Sequence, residues 1–169
     1  MAAFDYRQAR EIRDVFAAFR VRYLFLGKSG AILLGFPDTT QDADLFVERS
    51  PENGEALVLA LRQLGFALTE AQAGEIKRGK DFVQLKNGPF DLDLVFAPDG
   101  IERFEDAWSR RVDVEGYPVC HIDDIIASKA AANRQKDRES LPRLRSFRQY
   151  WLRQQKQHTL PPKSGAPRS

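Results

Sequence analysis

Residues 24–47, LFLGKSGAILLGFPDTTQDADLFV, form the most informative run in the chain. Just before and within it, Tyr23-Leu24-Phe25-Leu26 is short and wholly apolar, which predicts a strand buried on both faces. Gly27-Lys28-Ser29-Gly30 predicts a turn that leads into a helix over 31–34. Gly35-Phe36-Pro37 ends that helix, because proline disfavours helical geometry in the residue before it. A second strand follows over 42–48. Its alternation sets Ala43, Leu45 and Val47 on one face and Asp42, Asp44 and Phe46 on the other. A turn able to hold phosphate, followed by two carboxylates able to hold a metal, is the layout of a phosphoryl- or nucleotidyl-transfer site.

Upstream, Asp5 can cap a first helix that carries Ile12, Val15, Phe16 and Phe19 at helical spacing. Downstream, Ser50-Pro51 starts a helix with proline at its first position, and Gly65 ends it. Ala56, Leu57, Leu59, Ala60, Leu61 and Leu64 are its expected buried stripe. Asn87-Gly88 lies between two alternating runs and predicts a hairpin with a two-residue type I′ turn. That register pairs Leu85 with Phe90, Gln84 with Asp91, Val83 with Leu92 and Phe82 with Asp93. Val83, Leu85, Phe90, Leu92 and Leu94 then share an apolar face, and Asp91 and Asp93 share the other. A short helix over 104–110 carries Trp108, and a strand pair over 112–122 breaks at Glu115-Gly116. Asp123 can cap a helix to about Asn133, and Ser140-Leu141-Pro142 reopens one to about Gln155, with Leu144, Phe147 and Trp151 inward.

With 169 residues the chain suits one domain with a real core. The expected extent is 1–156, with a core over 22–122, C-terminal helices over 123–156 and a polar, proline-rich, disordered tail over 157–169. The fold class is α+β with α/β mixing: a small mixed sheet flanked by helices. A lone cysteine, Cys120, excludes an internal disulfide. Cys120-His121 has no further ligands to form a structural zinc site, since the other histidine, His158, lies in the polar tail. No apolar run approaches the ~20 residues of a membrane span. The N-terminus carries charges where a signal peptide has an apolar core, so the expected location is the cytoplasm.

Gly27-Lys28-Ser29 invites comparison with a P-loop, but that motif needs a glycine where Arg22 stands. A simpler role survives: backbone N–H groups at a helix start suit an anion, Ser29 adds a hydroxyl and Lys28 a charge. The alternative is a turn whose glycines merely permit the bend. Asp42 and Asp44, two apart on a strand, project to one side and can share Mg²⁺. Their alternative is a solvated strand edge. A third carboxylate from the hairpin, Asp93 or Asp91, favours the metal. Lys129, Arg134, Lys136, Arg138, Arg143, Arg145, Arg148 and Arg153 concentrate positive charge late in the chain. They make either a face for phosphate or RNA backbone, or a solvated helix surface.

The combination Leu26-Gly27, Asp42-Ala43-Asp44 and Asp93 resembles the nucleotidyltransferase superfamily typified by DNA polymerase β, and Thr40 matches its minimal bacterial members. Asp124-Ile125-Ile126-Ala127-Ser128-Lys129, then Arg134 and Lys136-Asp137, is similar to the AbiEii-like toxins among them. The chain departs from the pattern at Lys28, where a small residue is usual, and Ser29 is displaced by one. The resemblance implies a nucleotidyltransferase fold and Mg²⁺-dependent transfer from an NTP to a hydroxyl on RNA, a protein or a small molecule. Two ions are implied, with Mn²⁺ as a substitute. Asp42, Asp44 and Asp93 would hold metal, with Asp93 otherwise the general base. Lys129 would assist catalysis, and Gly27, Lys28, Ser29, Thr40 and Asp137 would bind the nucleotide. The toxin likeness adds an antitoxin-type protein partner. The competing reading is a catalytically inactive module of the same fold that binds RNA or a partner protein.

Overall fold

The computed structural model describes residues 5–159, with side chains to residue 157. The elements run α1 (Tyr6–Ala18), β1 (Tyr23–Leu26), α2 (Gly27–Leu33), β2 (Asp42–Val47), α3 (Pro51–Leu64), α4 (Glu70–Arg78), β3 (Phe82–Leu85) and β4 (Asp91–Val95). They continue with α5 (Phe104–Arg110), β5 (Val112–Val114), β6 (Tyr117–Val119), α6 (Ile122–Ala132) and α7 (Gln135–Thr159). The six strands form one mixed sheet in the order β3-β4-β2-β1-β6-β5. β1 runs antiparallel to β2 and parallel to β6, and β2 runs parallel to β4.

Register sorts the side chains into two faces. Asp44 sits opposite Leu26 on β1 and Asp93 on β4, so these three share a face with Asp42, Phe46 and Leu24. α5 covers part of that face, with Phe104 against the Phe46 ring. α2 packs against β1, β2 and α6. The other face is apolar throughout β2, and Phe16 of α1 meets it edge-on at Tyr23. Asn53 of α3 ties down the far end of the β1–β2 pair, bonding the backbone of Arg22 and Glu48.

Several elements differ from the sequence expectation. β1 feeds straight into α2, so Gly27-Lys28-Ser29-Gly30 is the first turn of the helix and not a turn before it. The β3–β4 pairing is shifted by two residues: Leu85 faces Leu92, Val83 faces Leu94, Gln84 faces Asp93 and Phe82 faces Val95. An even shift keeps every side chain on its expected face. The shift arises because Phe90 leaves the ladder to meet the Phe66 ring edge-on. Gly88 also lies against Phe66, where a Cβ would come within 2.2 Å of the ring.

In α3, Val58 is buried whereas Leu59 is exposed. α4 was not expected at all, although Thr69 and Gln72 form a reciprocal capping box at its start. His121, not Asp123, caps α6, its Nδ1 accepting from the Asp123 N–H. α7 begins before Ser140 and continues through Pro142, because Asp137 accepts from the Arg134 N–H and closes the first turn upstream. It also extends past the expected tail boundary to Thr159. The remainder of that tail, 160–169, lies outside the described residues.

Candidate active site

Asp42, Asp44 and Asp93 line one cavity of about 520 Å³ together with Gly27, Lys28, Thr40, Gln84, Lys129, Arg134 and Lys136. Adjacent strands supply the carboxylates. Asp44 and Asp93 are register partners across β2 and β4, and Asp42 is the partner of Asp91 one step along. Only Asp93 of the two hairpin aspartates lines the cavity, which separates the alternatives left by alternation alone.

Gly27 is fixed by Asp44. It has φ +61°, and a Cβ there would lie 2.1 Å from Asp44 Oδ2. Any other residue would push that carboxylate out of place and adopt a backbone conformation that side chains disfavour. Ser29, expected at the phosphate, is buried, and its hydroxyl is already committed. It donates to Leu26 O at 2.9 Å and accepts from the Asp44 N–H at 3.0 Å. Its role is to pin the start of α2 to β2 beneath Asp44. Thr40 Oγ1 brackets the backbone of Asp42, donating to its carbonyl and accepting from its N–H.

Burial pushes the Asp44 carboxyl up to about 7, reinforced by the charge of Asp93 and a hydrogen bond between the two. Asp93 is raised as well, first by burial and then by the Asp42 charge, while hydrogen bonds from Asp44 and Gln84 act the other way. Among the described residues Asp93 Oδ1 is buried without a hydrogen-bond partner, an expensive state for an oxygen that carries charge.

Positive groups converge from α2 and from the α6–α7 junction. Lys129 lies 3.5 Å from Asp137, and burial lowers its pKa, opposed by Asp137 and Asp44. Asp137, expected to touch the nucleotide, is fully buried and does not line the cavity. Arg134 Nε holds it at 2.8 Å, with a further bond from the Arg134 N–H. Burial raises its pKa, but the Arg134 bonds and the Lys129 charge outweigh that and hold it below the usual carboxylate range. It therefore positions two cations of the cavity wall. Lys28 points to Asp38 at 3.4 Å, and Asp38 also takes Arg143 of α7 at 3.3 Å.

The cavity thus sets the Asp44–Asp93 acid pair against Lys28, Lys129, Arg134 and Lys136. Gln84 and Asp38 were not singled out as site residues from sequence, and Arg134 and Lys136 only as members of the late basic cluster suited to phosphate or RNA backbone. Gln84 would have surfaced with the correct β3–β4 register, which sets it opposite Asp93.

Sequence comparison finds no matching family model and no matching curated protein. Six solved chains match by structure. Among them is the lincosamide antibiotic adenylyltransferase LnuA, in its lincomycin-bound crystal structure. The TM-score is 0.62 at 14% identity, covering 86% of this chain and 99% of that one. The chain has the nucleotidyltransferase fold. This agrees, at the level of the fold, with the resemblance carried by Gly27, Asp42, Asp44 and Asp93.

Proposed function

We propose that the chain is a Mg²⁺-dependent nucleotidyltransferase that moves a nucleotidyl group from an NTP to an acceptor hydroxyl. The observation that carries this reading is the Asp44–Asp93 pair, packed against Gly27 and facing Lys28, Lys129, Arg134 and Lys136 across one cavity. LnuA is an adenylyltransferase, which makes ATP the first donor to test.

The carboxylates suit a divalent cation. Among the described residues Asp93 Oδ1 lacks a hydrogen-bond partner, and a nearby cation would favour the charged form of both carboxyls. Among the described residues no three acidic, histidine or cysteine side chains form a ready-made cage. Mg²⁺ does not require one, since it commonly takes one or two carboxylates together with water and phosphate oxygens. Asp42, Asp44 and Asp93 would hold one or two ions, Mg²⁺ or Mn²⁺. When bound, such an ion neutralises charge on the phosphoryl oxygens.

The chain's own residues supply the rest. Lys28, Lys129, Arg134 and Lys136 bind the triphosphate, and Asp137 orients Lys129 and Arg134 towards it. The acceptor oxygen attacks the α-phosphorus, forming a P–O bond as the bridging bond to the β-phosphate breaks. Pyrophosphate leaves among the cations, and Asp93, where it does not hold the ion, takes the hydroxyl proton. The acceptor hydroxyl belongs to RNA, a protein or a small molecule. The likeness of 124–137 to AbiEii-like toxins supports a finer reading, in which the protein acts in the cytoplasm under restraint by an antitoxin-type partner.

Asp42→Ala and Asp44→Ala should each abolish Mg²⁺-dependent NTP consumption, measured as pyrophosphate release. Wild-type turnover in either variant would overturn the assignment. Label transfer from each of the four α-labelled NTPs into cell extract, resolved into RNA, protein and small-molecule fractions, then identifies donor and acceptor. Label on RNA or protein favours the toxin-type reading, and label on a small molecule removes it.

A further inference from the structure

Phe82 is a large apolar side chain on an edge strand, yet 47% of it is exposed. It lines the same cavity as the three carboxylates. An exposed aromatic on a sheet edge invites unwanted association, so its presence at a concave site points to a ligand. Its strand neighbour Val95 and the following Ala97 and Pro98 extend an apolar wall at this end of the cavity. Asp99 completes the end. It is exposed and, among the described residues, has neither a hydrogen bond nor an ion pair, whereas nearby Asp81 is taken by Arg49 at 2.7 Å.

Sheet order gives this end a direction. Lys28 follows β1, Asp42 and Asp44 stand on β2, Asp93 stands on β4, and Phe82 stands on β3. In-line displacement sets the entering oxygen opposite the leaving one. If pyrophosphate leaves toward Lys28, beside β1, in-line geometry brings the acceptor hydroxyl in from the β3 side, past Asp93. The exposed carboxylate of Asp99 repels phosphate there, which disfavours a nucleic acid.

Resting on the function proposed above, we infer that the β3 end is the acceptor subsite for a small molecule bearing an apolar ring and a cationic amine near its hydroxyl. The ring packs on Phe82, Val95 and Pro98, and the amine faces Asp99. Attraction between the cation and the Phe82 face adds to the fit.

The test uses three probes on the full chain with Mg²⁺: 2-amino-1-phenylethanol, its neutral analogue 1-phenyl-1,2-ethanediol, and ring-free ethanolamine. Affinities come from amide chemical-shift titration, and a non-hydrolysable ATP analogue is titrated in parallel by calorimetry. The aromatic amino alcohol should bind at least ten-fold more tightly than either control. Phe82→Ala should remove that advantage, and Asp99→Asn should reduce the amino alcohol to the level of the diol. Both variants should bind the ATP analogue as wild type does. Equal binding of the three probes, or an unchanged preference in Phe82→Ala, overturns the inference. Weakened analogue binding in Phe82→Ala assigns the ring to the nucleobase and also overturns it. The calorimetric arm reads the nucleotide separately: a wild-type protein that binds no analogue defeats nucleotidyl transfer whatever the probes show.

Discussion

Asp44 and Asp137 are both carboxylates on the site, and their surroundings drive their titration in opposite directions. Asp44 is raised by burial and by Asp93, so its folded pKa lies above that of the unfolded chain. Its contribution to stability is full below the unfolded range, about pH 4, and is lost as pH rises through about 7. Asp137 is lowered, so its contribution is present above that range and is lost as pH falls through its folded pKa. Thermal melts of the metal-free protein across pH should separate the two. Asp44→Asn should melt higher than wild type at pH 8, with the gap closing towards pH 5. Asp137→Asn should melt lower at pH 8, by roughly 2 kcal/mol of stability once the exposure of Arg134 is allowed for, with a shallower acid limb. Identical profiles for both variants would contradict the environments described. The sequence identified these residues through spacing and resemblance. It could not assign Ser29 and Asp137 to structural duties, because burial of a hydroxyl or carboxylate depends on helices that pack from elsewhere in the chain.

Among the elements, local signals placed β1, β2, α3 and α5 well, because each has a clean apolar pattern or a strong cap. The β3–β4 register was misplaced, since Asn87-Gly88 is a strong turn signal that a tertiary contact overrides. Phe66 draws Phe90 out of the ladder and crowds Gly88. Parity survived the two-residue shift, so Asp93 still faces the cavity. Gly88→Ala tests this account: forcing a methyl group into the Phe66 ring should cost about 1–3 kcal/mol, read as a lower denaturation midpoint at constant slope. No loss would mean that Phe66 does not set the path of the loop. α4 was legible and overlooked, its Thr69-x-x-Gln72 box being a recognised start signal. α7 was cut short at Pro142 because proline marks a helix start more often than an interior position.

Across the whole molecule, acids and cations of the site come from different layers. Strands carry Asp42, Asp44 and Asp93, while α2 and the α6–α7 junction carry Lys28, Lys129, Arg134 and Lys136. A Mg²⁺–nucleotide complex that touches both should cross-link sheet and helices. Hydrogen exchange should then slow across 122–140 on addition of Mg²⁺ and a non-hydrolysable ATP analogue together, beyond what either does alone. Protection confined to 42–47 would show that the cations take no part. Among the described residues no helix is long and apolar enough to cross a membrane.

The position of β3 at the border of the sheet bears on how such a protein diversifies. Asp42, Asp44 and Asp93 sit on inner strands bonded on both sides, whereas Phe82 belongs to a strand with one neighbour. Changes along that border reshape one end of the cavity and leave the inner strands and their registers alone. Selectivity and chemistry are therefore inherited on largely separate segments, and residues 80–82, stopping short of the Gln84 that bonds Asp93, form a natural cassette for exchange between homologues or for directed evolution.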